Sequence, residues 1–132
     1  CRQCEVSGVE GKSRAFITEH PHEIVLCVNR LPGRAALREA LTHEGVHAFD
    51  YANGRCDFSS CDGLAYTEVR AAREGECADL SNALHTLPLV GPWLKQSCIK
   101  SRAAASTGNL FPGDARSCVE RVFLSALADL HP

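Results

Sequence analysis

Residues 41–50 read LTHEGVHAFD, and the reading of this stretch decides the fold. It lies inside a run from Arg34 to Ala52 that is rich in Ala, Leu, Glu and Arg and free of proline, with Leu31-Pro32-Gly33 before it and Asn53-Gly54 after it. That punctuation predicts one helix over Arg34–Ala52. On a helix, His43 and His47 stand one turn apart and project on the same side, so both imidazoles can grip one metal ion. Glu44 points to the edge of that face, where it can hold a water. Ala36, Ala40 and Asp50 share the histidine face, with Leu37, Leu41 and Ala48 on one flank and Val46 and Phe49 on the other. The pattern is that of a helix apolar on two sides with a polar stripe between.

Two histidines do not complete a hydrolytic metal site, which needs three protein ligands and an open position. The next helical segment is predicted to begin near Asp62, as its N-cap, and to run through Glu68 and Arg73 toward Leu84. Glu68 shares its face with Leu64, Ala65, Ala71, Ala72 and Gly75, small residues that allow a close approach to the first helix and a His/His/Glu set. Asp50, one turn past His47, either replaces Glu68 as a ligand or orients a ligand histidine from behind. The second role is favoured, because Glu68 sits at the spacing of zinc peptidases with a downstream glutamate. Tyr66, Arg70 and Cys77 fall on the opposite side. His20, His22, His85 and His131 lie in turns or near ends, where exposed surface positions are expected.

Outward from these helices, residues 14–18 and 23–28 read as two short strands around a turn at His20-Pro21-His22. Residues 87–94 read as a proline-broken loop packed on the core, and a helix follows from Trp93 to Ala105. A last helix behind Asp114 places Val119, Val122, Phe123, Ala126, Leu127 and Leu130 on one core face. The expected fold class is α+β: a small sheet, the histidine helix, a second ligand-bearing helix and two C-terminal helices.

Composition bounds the rest. With 132 residues, the chain is expected to form a single domain over residues 1–132. Hydrophobic residues at 45%, charged residues at 23% and a net charge of −2 argue against disorder and against nucleic acid as a partner. No apolar run approaches membrane-spanning length and no charged-then-apolar leader precedes Cys1, so a soluble, mature or trimmed domain is expected. Eight dispersed cysteines point to disulfides in an oxidising compartment, ahead of a second metal site on Cys1 and Cys4. Helical phase puts the partner of Cys77 on the far side of the second helix. Cys98 and Cys118, flanking a loop between helices, are a candidate pair.

Taken together, LTHEGVHAFDYANG (41–54), LAYTEVRAAREGEC (64–77), EIVLCVNR (23–30), CIKSRAAAS (98–106) and VERVFLSALAD (119–129) resemble one family. It is the zinc metalloprotease family of the mitochondrial intermembrane space, which processes a precursor of an ATP synthase membrane subunit and helps assemble the membrane sector. The resemblance runs from about Gly11 to the C-terminus. It implies a zincin-like fold in which His43, His47 and Glu68 ligate Zn2+ and Glu44 is the general base. It also implies cysteines oxidised in the intermembrane space, peripheral attachment to the inner membrane, and a chaperone-like role independent of peptidase activity. Gly45 departs from the family's bulky aliphatic, which implies lost stability or a close helix contact rather than lost metal. Tyr66 and Ala126 stand where the family tends to carry cysteine, and Cys118 is additional, so the family's bridges do not transfer.

The expected reaction is hydrolysis of a peptide bond, Glu44 taking a proton from water and passing it to the leaving amine. An extended substrate is expected to pair with the strand near Glu23–Val28. Tyr51 and Tyr66 are oxyanion candidates by residue type alone, against their helical phase. Two other classes compete: a non-catalytic, zinc-stabilised assembly factor, and a secreted disulfide-rich metalloprotease.

Overall fold

The computed structural model describes residues 1–5, 11–18, 21–80 and 90–131. Strands β1 (Ala15–Thr18) and β2 (Glu23–Leu26) form an antiparallel hairpin in which Ala15 faces Leu26 and Thr18 faces Glu23. Four α-helices follow among the described residues: α1 (Arg34–Ala52), α2 (Cys61–Glu74), α3 (Gly91–Thr107) and α4 (Ala115–Ala128). The architecture is α+β as expected, and α1 has the predicted bounds, with Gly54 at φ 58° where the chain leaves it.

Helix α2 is the centre of the packing. Its Ala65, Val69 and Ala72 are buried against Ile99 and Ala103 of α3 and Cys118, Val119, Phe123 and Ala126 of α4. The other side of α2 faces α1, and α1 in turn backs the hairpin through a small cluster of Ala15, Leu26 and Ala40 with Leu37 packed against it. The two polar-bearing helices are therefore pressed together between a sheet and a helical core. No helix among the described residues is long and apolar enough to cross a membrane.

Several boundaries differ from expectation. Ser60, not Asp62, caps α2: its hydroxyl accepts from the Gly63 N–H, and Asp62 lies in the first turn and pairs with Arg121. The helix stops at Glu74 rather than continuing toward Leu84, of which residues 81–84 lie outside the described residues. A Cβ at Gly75 would sit 3.0–3.3 Å from Ala71 O, Glu39 O and His43 Cβ. A glycine is thus what lets the chain turn against α1. β2 ends at Leu26 because Cys27 enters a disulfide and residues 28–30 form a 3-10 turn. Within 87–94, Val90 and Trp93 are 45% and 66% exposed and so are not core, while residues 87–89 lie outside the described residues. Leu130 lies beyond α4 and is exposed, as is Leu41 of α1, although Leu37 on the same flank packs against the hairpin.

The cysteines are paired Cys4–Cys27, Cys61–Cys118 and Cys77–Cys98, with Cys1 and Cys56 as thiols. The Cys98–Cys118 clamp is incorrect. Both residues face α2, and each is joined to a cysteine at one end of that helix instead. Cys77 lies beyond the end of α2, so helical phase does not apply to it, and its partner is Cys98 of α3. Cys4 is consumed by a bridge, which removes the Cys1/Cys4 metal reading. Gly45 faces open space, and a methyl added there would meet nothing within 4 Å, so it makes no close helix contact. Its cost relative to alanine is the about 1 kcal/mol of an unconstrained helix glycine.

Candidate metal centre

The histidine face of α1 meets the small-residue face of α2. There Ala71 is fully buried and Gly75 touches the backbone of α1, so Glu68 is carried in close to both histidines, whereas Ala65 and Ala72, expected on this face, pack into the helical core with α3 and α4. His43 Nε2 and His47 Nε2 lie 3.0 Å apart, Glu68 Oε2 lies 3.4 Å from His43 Nε2, and Glu68 Oε1 lies 3.6 Å from His47 Nε2. One ligand atom from each of the three residues falls within a 4.8 Å cluster. The structure brings together the three residues expected as ligands.

Two observations bear on whether these residues fit a divalent cation. Glu68 Oε2 is buried and makes no hydrogen bond, with His43 Nε2 3.4 Å away, so its burial depends on positive charge held at the centre. The far nitrogens of both rings are also engaged from behind. His43 Nδ1 lies 3.1 Å from Glu76 Oε2, and His47 Nδ1 lies 2.9 Å from Thr67 Oγ1. With each Nδ1 held by a polar partner, each Nε2 is turned to the shared centre, which is how ligating histidines are oriented in metalloproteins.

Electrostatics point the same way. Burial opposes a charge on His43, but Glu68 and Glu76 beside it prevail and raise its pKa from 6.5 to about 10. Burial works to raise Glu68, and the two imidazoles reverse it, holding the carboxyl at about 2. Glu44 is buried beside the ligands, and burial raises its pKa above the usual carboxylate range.

Asp50 is fully buried but does not join the cluster. Its Oδ2 accepts from the Thr67 hydroxyl at 2.7 Å, and its Oδ1 pairs with the Arg70 guanidinium. It therefore stands behind His47, with Thr67 interposed. Glu76 and Thr67 lie within the 64–77 stretch, but the sequence marks no role for either. Thr67 adjoins Glu68, and Glu76 lies in the turn after α2 that the expectation of a longer helix obscured. Glu76 is itself tied by Arg14 at 3.2 Å, and Arg14 also pairs with Glu39 at 3.1 Å.

The centre opens into a cleft of about 420 Å³ lined by Ala15, Phe16 and Ile17 of β1, by Leu64, Phe58 and Tyr51, and by Glu44 and the three ligand candidates. The strand beside the cleft is β1, not the Glu23–Val28 segment expected to receive substrate. The outer edge of β2 is already covered, since Arg2 N bonds Leu26 O and Val28 N bonds Arg2 O. On β1, Arg14 O faces Cys27 N, so by ladder alternation the backbone groups of Ala15 and Ile17 point to the other edge, which is unpaired among the described residues. Tyr51 lines the cleft despite its helical phase, 47% exposed, with its ring 4.3 Å from that of His22 and 6.0 Å from that of Phe58. His22 is exposed as expected but belongs to the cleft wall. Tyr66 is directed elsewhere, donating to Asp129 at 2.8 Å. His131 is exposed, and His20 and His85 lie outside the described residues.

Residues 1–132 match the Peptidase M76 family. Over 115 residues the chain is 35% identical to the mitochondrial inner membrane protease ATP23 homolog of Homo sapiens, covering 83% of this chain and 46% of that protein. It is 32% identical over 137 residues to the Xenopus laevis homolog (100% and 56%) and 35% identical over 121 residues to the mitochondrial inner membrane protease ATP23 of Candida albicans (86% and 50%). The chain spans about half the length of the curated relatives it matches. No solved structure matches.

Proposed function

Because the chain belongs to the Peptidase M76 family, we propose that it is a zinc-dependent endopeptidase with a zincin-like site in which His43, His47 and Glu68 hold the metal. The observation that carries this reading is the buried Glu68 carboxylate, its Oε2 without a hydrogen bond, facing the Nε2 atoms of two imidazoles that are each held by their Nδ1. Zinc, when bound, supplies Lewis acidity toward a peptide carbonyl and brings the pKa of water near neutrality.

The chain's own residues do the rest. Glu44 is the general base, and its burial-raised pKa suits a group that must accept a proton from water and return it to the leaving amine. Asp50 stands behind His47 and orients it. An extended peptide adds to the edge of β1 that is unpaired among the described residues, where Ala15 and Ile17 offer backbone donors and acceptors beside the cleft. The names of the relatives support action at the mitochondrial inner membrane, and the reading places the chain on its intermembrane-space side by peripheral attachment. The substrate proposed is the precursor of an ATP synthase membrane subunit, with a further part in assembly of the membrane sector.

Metal analysis by mass spectrometry tests the ligand set. One zinc per chain is expected, with affinity lost in Glu68→Ala. Unchanged affinity in that variant would reject Glu68 as a ligand. The pH dependence has a defined sign. The folded pKa of His43 is raised from 6.5 to about 10, so the stabilisation from its proton is full below 6.5 and lost as pH rises through 10. Zinc must displace that proton, so affinity measured by chelator competition should rise about tenfold per pH unit between about pH 7 and 9. A flat profile would show that His43 is not the displaced group.

A further inference from the structure

We propose that Thr67 is a positioning residue, a one-way hydroxyl relay that fixes the proton of His47 on Nδ1 and so presents the Nε2 lone pair to the centre. The inference rests on the reading of His47 as a metal ligand and adds to it a residue with no contact to metal or substrate.

The direction of the relay follows from counting protons. Asp50 is fully buried and paired through Oδ1 with Arg70, itself 1% exposed, so toward Thr67 its carboxylate can only accept. The Thr67 hydroxyl has one hydrogen, and the 2.7 Å contact to Asp50 Oδ2 takes it. What Thr67 has left for His47 Nδ1, at 2.9 Å, is a lone pair. His47 must therefore donate from Nδ1, and its Nε2, 3.0 Å from His43 Nε2, presents a lone pair to the centre. Reversal would require the buried carboxylate to give up its donor.

A threonine inside a helix commonly turns its hydroxyl to a carbonyl of the preceding turn. Thr67 instead points across to α1 and spans residues 17 and 20 positions away. Asp50 is in turn immobilised by structure remote from the centre. The Arg70 guanidinium that holds it also donates from Nη2 to the His131 carbonyl at 2.6 Å, and Asp129 lies 3.5 Å from Arg70 Nε. The end of the chain beyond α4 is thus part of what holds His47. The two histidines are anchored unequally: His43 by a carboxylate directly, His47 by a neutral hydroxyl that owes its direction to a carboxylate behind it.

Thr67→Val keeps the shape and removes the relay, and Thr67→Ser keeps the relay. Chelator competition on the full chain should show zinc affinity about 10–100-fold weaker in Thr67→Val, with Thr67→Ser close to the parent. In the metal-free parent, nitrogen NMR of the imidazoles should place the His47 proton on Nδ1, and in Thr67→Val the proton should move in part to Nε2. Parent-like zinc affinity in a folded Thr67→Val, or an Nε2–H tautomer in the parent, would overturn the relay. Should Thr67→Val not fold, Thr67→Ser and the parent tautomer carry the test. A parent that takes up no zinc would refute the metal reading, and the His47 tautomer would still decide the relay.

Discussion

Replacing Glu44 with glutamine is expected to lower peptide cleavage about 10²–10⁴-fold while zinc content and thermal stability stay near those of the parent. The substitution keeps the volume and one acceptor oxygen of a side chain that is 8% exposed, so packing of α1 is preserved. What it removes is the capacity to bind a proton. Burial has raised the pKa of Glu44, which makes it a better base at neutral pH than an exposed carboxylate, and an amide has no such function. Glu44 is not among the three residues that cluster as ligands, so metal binding should be indifferent to the change. Cleavage of candidate substrates by Glu44→Gln at the parent rate would sink the peptidase mechanism. If cleavage is lost and assembly of the ATP synthase membrane sector persists, the chain carries both roles.

The second large effect concerns stability. Removing the Cys61–Cys118 bridge by Cys61→Ser with Cys118→Ser should lower unfolding free energy by about 2–5 kcal/mol, toward the upper end because the loop it closes is long. The bridge spans 57 residues, against 23 and 21 for the other two, and ties the first turn of α2 to α4 within the helical core. Denaturant unfolding of the oxidised parent and the double variant measures the difference. A double variant as stable as the parent would mean that burial around Cys118 holds the helices without the bridge. Peptide mapping without reductant should recover Cys61 with Cys118 and Cys77 with Cys98.

Much of the centre was legible because its information is local. The proline and glycine punctuation around 34–52 marks one helix, and four-residue spacing puts His43 and His47 on one side of it whatever they pack against. Of the small residues around Glu68, Gly75 is used for the close approach to α1, while Ala65 and Ala72 serve the packing against α3 and α4 instead. The stretches that misled were those whose conformation depends on distant partners. Leu41 and Trp93 are apolar but exposed, because periodicity marks a face without saying what covers it.

The sequence by itself determined the spacing of the candidate donors: two imidazoles and the Glu44 carboxylate on one helix, and the Glu68 carboxylate, with Asp50 as its alternative, as the candidate third ligand. Only the tertiary structure decided what stands behind them. Glu76 reaches His43 because α2 ends at Gly75 and the chain turns back toward α1, and Thr67 reaches His47 because the two helices are packed in one register. The pairing of Cys118 with Cys61, and the choice of β1 as the strand beside the cleft, depend on which elements become neighbours across tens of residues. Helical and strand periodicities are set by bonds within a few residues. Neighbourhood between elements is set by the packing of whole faces, and no single segment contains it.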